Sequence, residues 1–257
     1  MRPLASFSRE DEAVLRRLIG DHPLFRLYLE SGLEASRRGE TNRFGWVSRS
    51  TRGGALGIRF DNLEVRTPIG ELTQAEELEI ASVRGGVELH LEPRAADRIA
   101  AAYADRLRRR ESLRYYVLDH SFGRGPDACC RQLAPAEYEE VSRLFHTLYP
   151  EGVFSRWMLD DLFLAVFEEE NIVACGGVIA RTDEIANIGN FLTVPNARGQ
   201  GLARSIAATL AHRLADQGVR VITLTTTEEN AAACRAYEAV GFRCLGQRAE
   251  VSLAPSS

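Results

Sequence analysis

Two short stretches carry residue types that could do chemistry. The first is Arg198-Gly199-Gln200-Gly201-Leu202-Ala203-Arg204. A strand-like run, Ile188–Val194, precedes it. After it Leu202, Ile206, Leu210 and Leu214 recur every fourth residue, one apolar stripe of a helix. The glycines therefore fall on a strand-to-helix turn. Free backbone N–H groups and the positive end of the helix dipole converge there, which makes an anion site. Gly199 and Gly201 lack a Cβ, so a phosphate could approach the backbone closely. A tight turn with no ligand fits this stretch as well. Two familiar phosphate loops do not. A Walker loop needs Gly-Lys-Ser/Thr, and the chain contains no Lys. A dinucleotide fingerprint needs Gly or Ala three positions after Gly201, where Arg204 stands.

The second stretch follows Thr225-Thr226-Thr227. Asn230, Ala233, Cys234 and Tyr237 share one helix face, with Asn230 and Tyr237 about 10 Å apart along the axis. Gly241 caps that helix and Phe242 opens the next strand. Taken alone, Asn230 reads as an N-cap and Tyr237 as a core aromatic.

Together, Arg198-Gly199-Gln200-Gly201-Leu202-Ala203 and Asn230-x6-Tyr237-Glu238-x2-Gly241-Phe242 resemble the GNAT superfamily of acyl-CoA-dependent N-acyltransferases, over residues 129–253. The family pattern is Gln/Arg-x-x-Gly-x-Gly/Ala; here Asn196 departs from it at the first position. The resemblance implies acetyl-CoA as cosubstrate and a primary amine, on a small molecule or a peptide, as acceptor. It implies that the backbone of Leu192, Thr193 and Val194 pairs with the pantetheine arm. The amides of Arg198, Gly199, Gln200, Gly201, Leu202, Ala203 and Arg204 would hold the pyrophosphate. Asn230 would touch the cofactor arm, and Tyr237 would protonate the departing thiolate. The amine would attack the thioester directly, through a tetrahedral intermediate whose oxyanion a strand N–H near Leu192 could stabilise.

The physics agrees. Arg198 or Arg204 could add charge-assisted hydrogen bonds of ~1.5–3 kcal/mol if desolvated. An alkyl ammonium of pKa ~10 is about one part in a thousand neutral at pH 7, a handicap of ~4 kcal/mol. A carboxylate, often through water, can take that proton. Glu184, at the start of the strand before the glycine turn, is the nearest candidate. Asp160, Asp161, His146, Glu250 and a water chain stay open. A non-catalytic acyl-CoA-binding regulatory module is the alternative reading. Phe154-Ser155-Arg156-Trp157 lies where short helices of the family border the acceptor.

The elements that must position these groups follow from composition and periodicity. The chain has 257 residues, 45% of them hydrophobic and 26% charged, enough apolar content for one large or two moderate cores. The net charge of −4 argues against general binding of nucleic acid or membrane surfaces. No apolar run approaches the ~20 residues of a membrane span, and residues 1–10 lack a signal-peptide core. The five Cys show no C-x-x-C pair, so free thiols in a cytoplasmic setting are expected, and no metal.

The fold class expected is α/β of the mixed α+β kind. A GNAT-like domain at 127–257 has the order β-α-β-β-β-α-β-α-β, with a mixed, mostly antiparallel sheet. An α+β domain at 1–122 precedes it, across the Gly/Pro-rich stretch 119–127. In that first half His22-Pro23 interrupts a helical run over 9–30. Strands are expected at Phe44–Ser48, Ala55–Phe60 and Leu63–Thr67, and helices at Glu71–Ser82 and Pro93–Arg110. Val87-Glu88-Leu89-His90-Leu91 alternates as a half-buried strand, and Leu113–Leu118 is another. Arg106-Leu107-Arg108-Arg109-Arg110 reads as a solvated helix end. The element order admits a degenerate copy of the same fold, one without a glycine turn able to hold coenzyme A. A homodimer stays open.

Overall fold

The computed structural model describes residues 2–4, 7–38, 44–50, 52–60, 63–119, 129–150, 152 and 154–256. They form two compact units, Met1–Arg114 with Gly246–Ser257, and Tyr115–Leu245. The sequence-based division at 122/127 puts the last strand wholly with the second half. In the structure its C-terminal part belongs to the first unit, because it pairs there. The stretch 119–127 lies, beyond Asp119, outside the described residues.

The first unit holds β1 (Arg2–Pro3), α1 (Arg9–Ile19), α2 (Pro23–Arg37), β2 (Phe44–Ser50), β3 (Gly53–Arg59), β4 (Leu63–Gly70), α3 (Gln74–Ala81), β5 (Gly86–Leu91) and α4 (Pro93–Ala102). A strand β6 (Leu107–Asp119) starts in it and ends in the second unit. The second unit continues with β7 (Arg131–Gln132), α5 (Tyr138–Leu148), β8 (Phe163–Glu168), β9 (Asn171–Arg181), β10 (Ile185–Thr193), α6 (Leu202–Asp216), β11 (Val221–Thr227) and α7 (Ala231–Glu238). The last strand, β12 (Arg243–Leu253), starts there and ends in the first unit.

In the first unit β2, β3 and β4 form an antiparallel meander. The α3 crossover makes β5 parallel to β4, and β12 lies antiparallel to β5, with Ala249 to Leu253 opposite Leu91 to Val87. Val87, Leu89 and Leu91 alternate into a core with Ile80, Ala96, Ile99, Val251 and Leu253. Glu88 and His90 therefore share the opposite face. There His90 Nε2 lies 3.2 Å from Glu88 Oε1 and 3.5 Å from Glu250 Oε2, and Arg109 pairs with Glu250. Burial alone would lower the His90 pKa, but the carboxylates of Glu250 and Glu88 outweigh it and hold the imidazole at about 9. Burial pushes the Glu88 carboxyl above the ordinary carboxylate range against the pull of His90, so a protonated His90 and Arg109 are balanced chiefly by the Glu250 carboxylate.

The helix expected over Pro93–Arg110 stops at Ala102. Its successor β6 starts at Leu107, and Arg106 exchanges backbone and side-chain bonds with Ala254. Strand pairing overrides the helix propensity of the Arg run, and Arg109 is an ion-pair member where a solvated helix end was expected.

The second unit repeats this element order. β8, β9 and β10 form an antiparallel meander, and α6 crosses to β11, which is parallel to β10. Ser205 to Ala211 and Leu214 of α6 are all buried, packed on Leu164, Val178, Ile188, Ile222 and Leu224. Leu210 is fully buried in this core. Leu210→Ala should lower stability by ~2–5 kcal/mol in urea denaturation. A loss under ~1 kcal/mol would mean that the helix is not the unit's central core element.

Candidate active site

Residues 185–187 of β10 pair with residues 221–223 of β11, and beyond them the two strands part. Asn187 holds the last closed step: its Nδ2 donates to the carbonyl and the hydroxyl oxygen of Thr223, both at 3.1 Å. Past it β10 bulges. Between Gly189 and Leu192 it carries one residue more than β9, and Asn190 takes φ +53°. The bulge turns Phe191 over β9, where Gly176 leaves room: a Cβ there would sit 2.6 Å from the Phe191 ring.

Beyond the bulge the backbone alternates. The Val194 amide donates to Val173 on β9, and the Leu192 amide approaches Cys175, whose thiol burial pushes up to about 12. By strand geometry the amide and carbonyl of Thr193 then face the opening. Of the three residues expected to offer backbone there, Thr193 presents both polar groups and Leu192 turns its amide away. The strand N–H near Leu192 that faces the opening is therefore that of Thr193. Arg198 Nε donates to the Thr193 carbonyl at 3.1 Å.

After a 3-10 turn at Pro195–Ala197 the chain reaches Gly199 and Gly201, with φ of +79° and +80°. Only glycine adopts this left-handed region without cost. Gly201 is the N-cap of α6 and supplies no side chain. Among the described residues no backbone carbonyl accepts from the amides of Gly199, Gln200, Gly201, Leu202, Ala203 or Arg204; the first helical bond is Ser205 to Gly201. The first turn carries no acidic residue. Arg204 instead folds its guanidinium back over Gly201, and its Nε is buried without a hydrogen-bond partner. A cation and six open amides at a helix N-terminus form a site for an anion.

The corresponding turn of the first unit, ahead of α3, is closed on itself. Thr73 caps the helix, and Glu76 Oε2 accepts from the Thr73 amide and hydroxyl at 2.7 and 2.8 Å. Its own carboxylate occupies the place an anion would take.

Tyr237, on the last turn of α7, is buried and packs edge-on or tilted against Tyr116, Phe191 and Phe242. Its ring thus lies beside the β10 bulge. Burial, then the neighbouring Cys234, pushes its pKa above the ordinary phenol value, so the hydroxyl keeps its proton.

Residues 129–242 match the family model described as "Acetyltransferase (GNAT) family". This segment belongs to the GNAT family. Solved structures extend the likeness of fold over the whole chain. A Drosophila protein has a TM-score of 0.73 at 15% identity, covering 100% of this chain and 99% of its own. A GCN5-related N-acetyltransferase-like protein from Streptococcus suis has 0.67 at 16%, covering 94% and 99%. A GNAT-family protein from Novosphingobium aromaticivorans has 0.64 at 21%, covering 92% and 100%. At these identities the likeness is one of fold. No curated protein sequence matches the chain.

Within the GNAT segment the remaining candidates separate. Asn230 is the N-cap of α7, its Oδ1 accepting from Ala233 at 3.1 Å. Glu184 lies in the turn that precedes β10, exposed, at the closed end of the β10–β11 pair. Seven residues of strand, about 23 Å, separate it from Phe191. It is therefore out of reach of the opening, and its expected role as base is corrected. Glu250 is committed to Arg109 and His90. Asp161 pairs with Arg181 at 3.0 Å, and His146 Nδ1 bonds the Ser142 carbonyl at 2.8 Å. The 3-10 turn Arg156–Asp160 does border the bulge, because Asn190 Nδ2 donates to Met158 Sδ at 3.2 Å. Sequence reasoning missed the Arg198–Thr193 bond and the closing role of Asn187, although Asn187 and Thr223 both stand where the strands part.

Proposed function

We propose that the GNAT segment transfers a short acyl group, acetyl in the first instance, from coenzyme A to a primary amine. The observation that carries this reading is the open anion site at Gly199–Arg204, with its six unbonded amides and the buried Arg204 Nε. Those residues fit a pyrophosphate in charge and in donor geometry. Thr193, its polar groups facing the opening, fits the amide of an extended arm once Arg198 lets go of its carbonyl. Asn230 keeps its Nδ2 for the same arm. When bound, acetyl-CoA supplies the activated acyl carbon.

The chain's own residues do the rest. The bulge at Asn190 and the aromatic ring of Phe191 shape the reacting end and exclude water from it. The Thr193 amide is the donor placed for developing negative charge. Tyr237, protonated at every working pH, is the proton donor for a sulfur leaving group. With Glu184 out of reach, the proton of the incoming ammonium leaves through water.

The test is calorimetric binding of acetyl-CoA together with thiol release against a panel of amines. No binding at millimolar ligand would refute the reading. Binding with no thiol release on any amine would support a non-catalytic acyl-CoA-binding module instead. Tyr237→Phe should lower turnover at least tenfold while the Kd for acetyl-CoA changes less than twofold. Unchanged turnover would remove Tyr237 from the proton-donor role.

A further inference from the structure

The first unit has an opening of its own. Its parallel strands β4 and β5 pair only as far as Arg66 and Leu89; beyond that, Thr67–Gly70 and His90–Leu91 diverge. Clefts at the carboxyl ends of parallel strands are where ligands settle in open α/β sheets. Here the cleft has a volume of about 530 Å³, within the range of small-molecule sites. Its apolar walls include Leu18, Phe25, Ile69 and Leu91.

One side of this cleft is polar and pre-arranged. His22 stacks on Phe25, with centroids 4.0 Å apart, and the Arg248 guanidinium lies over the Phe25 ring at 4.9 Å. Arg248 Nη1 donates to the His90 carbonyl at 3.3 Å. The Arg248 side chain is 17% exposed, and the carboxylate paired with it is Glu92, at 3.3 Å and 69% exposed. An ion pair with so exposed a partner contributes little, because water screens it. A carboxylate arriving inside the cleft could take Arg248 in a bidentate pair and release Glu92 to water. His22 is held neutral there, its pKa lowered to about 4 by burial and then by the charge of Arg248, so its ring adds a dipole without a second cation.

The rest of the lining limits the charge of the occupant. Glu71, Glu77 and Glu92 all border the cleft, and α3 opens with the self-satisfied Thr73–Glu76 cap. Glu77 is already paired with Arg98 and Glu71 with Arg52, so a polyanion such as a nucleotide or a diphosphate finds a single guanidinium, Arg248, among the lining side chains. A single carboxylate on an apolar body meets Arg248 at one end and the aliphatic walls with the rest.

From this geometry we infer that the first unit binds a small amphipathic monocarboxylate, with its carboxylate on Arg248 and its apolar body between α1, β4 and β5. This site shares no residue with the anion site at Gly199–Arg204 and does not depend on its function.

The experiment is calorimetric titration of the full chain with 4-phenylbutyrate and decanoate, alongside the neutral amide and the dicarboxylate of decanoate's chain length. The monocarboxylates are expected to bind at least tenfold more tightly than either control. Arg248→Gln should raise their Kd at least tenfold and bring carboxylate and amide to parity. Ala95→Leu, which fills the cleft from α4 and leaves the charges alone, should weaken decanoate at least tenfold. Gly201→Val should leave all these affinities within twofold, which separates the result from any failure of coenzyme A binding. Circular dichroism confirms that each variant is folded. Equal affinity for acid and amide, unchanged affinity in Arg248→Gln, or no heat from either monocarboxylate at 5 mM on the order of the weakest useful ligand affinities would each overturn the inference.

Discussion

Replacing Gly201 with Val should raise the Kd for acetyl-CoA at least thirtyfold. Gly201 stands at φ +80°, where a β-branched residue costs on the order of 1–3 kcal/mol. An added Cβ would also lie 3.1 Å from Arg204 Nη2 and push away the guanidinium that covers the turn. The chain can relieve the strain only by rotating the peptides on either side, and these carry the open amides. A loss of ~2 kcal/mol in binding is a factor of about thirty. Gly199→Ala is the internal control. It has the same φ region, at +79°, but a Cβ there meets nothing within 4 Å, so a smaller loss of roughly fivefold is expected from strain alone. The check is calorimetry on both variants. Binding of acetyl-CoA to Gly201→Val within threefold of the parent would show that the turn does not hold the ligand.

Glu250→Ala should destabilise the chain by ~3–5 kcal/mol, the usual result of breaking a buried pair from one side. Arg109 and a protonated His90 would be left with Glu88 between them. The parent should also carry a distinctive dependence on pH. The folded-state pKa of His90, about 9, lies above the ordinary histidine value of 6.5. Its contribution is therefore complete below pH 6.5 and disappears as pH rises through 9. A tenfold difference in proton affinity between the folded and unfolded chain corresponds to about 1.36 kcal/mol, so the loss between pH 7 and 10 is about 2–3 kcal/mol. Glu250 acts at the other end. Burial opposes its ionisation, but His90 and Arg109 together bring its pKa down to about 2. Its contribution is present above the ordinary carboxylate value of 4.5 and fades as pH falls through 2. Urea unfolding from pH 6 to pH 10 measures the histidine part. His90→Gln should flatten the alkaline slope; a slope that persists in that variant would place the titrating group elsewhere.

The glycine turn and α6 were legible in the sequence because two signals coincide there: a four-residue apolar period and glycines at its N-terminal edge. The same holds for α7, with Asn230 at its head and Gly241 at its end. Both depend on neighbours close in the chain. What could not be read depends on distant partners. Arg106–Arg110 has good helix formers, and only pairing with residues such as Ala254, 148 positions away, makes it a strand. Glu184 looked near the turn because it directly precedes the strand that leads there, but strand rise converts seven residues into a distance no side chain spans. The His90–Glu250 pair had a faint local trace. Glu88 and His90 alternate with Val87, Leu89 and Leu91, so their shared face was visible, but the register that sets Glu250 opposite His90 was not.

The last strand of the first unit has a consequence during synthesis. β5 gains its neighbour Ala249–Leu253 only after the 131 residues of the second unit, Tyr115–Leu245, have been made. At ~5–20 residues per second a ribosome needs roughly 7–26 s for that stretch. Throughout it the nascent first unit exposes one long side of β5. A protease or chaperone acting on the emerging polypeptide would meet that bare edge.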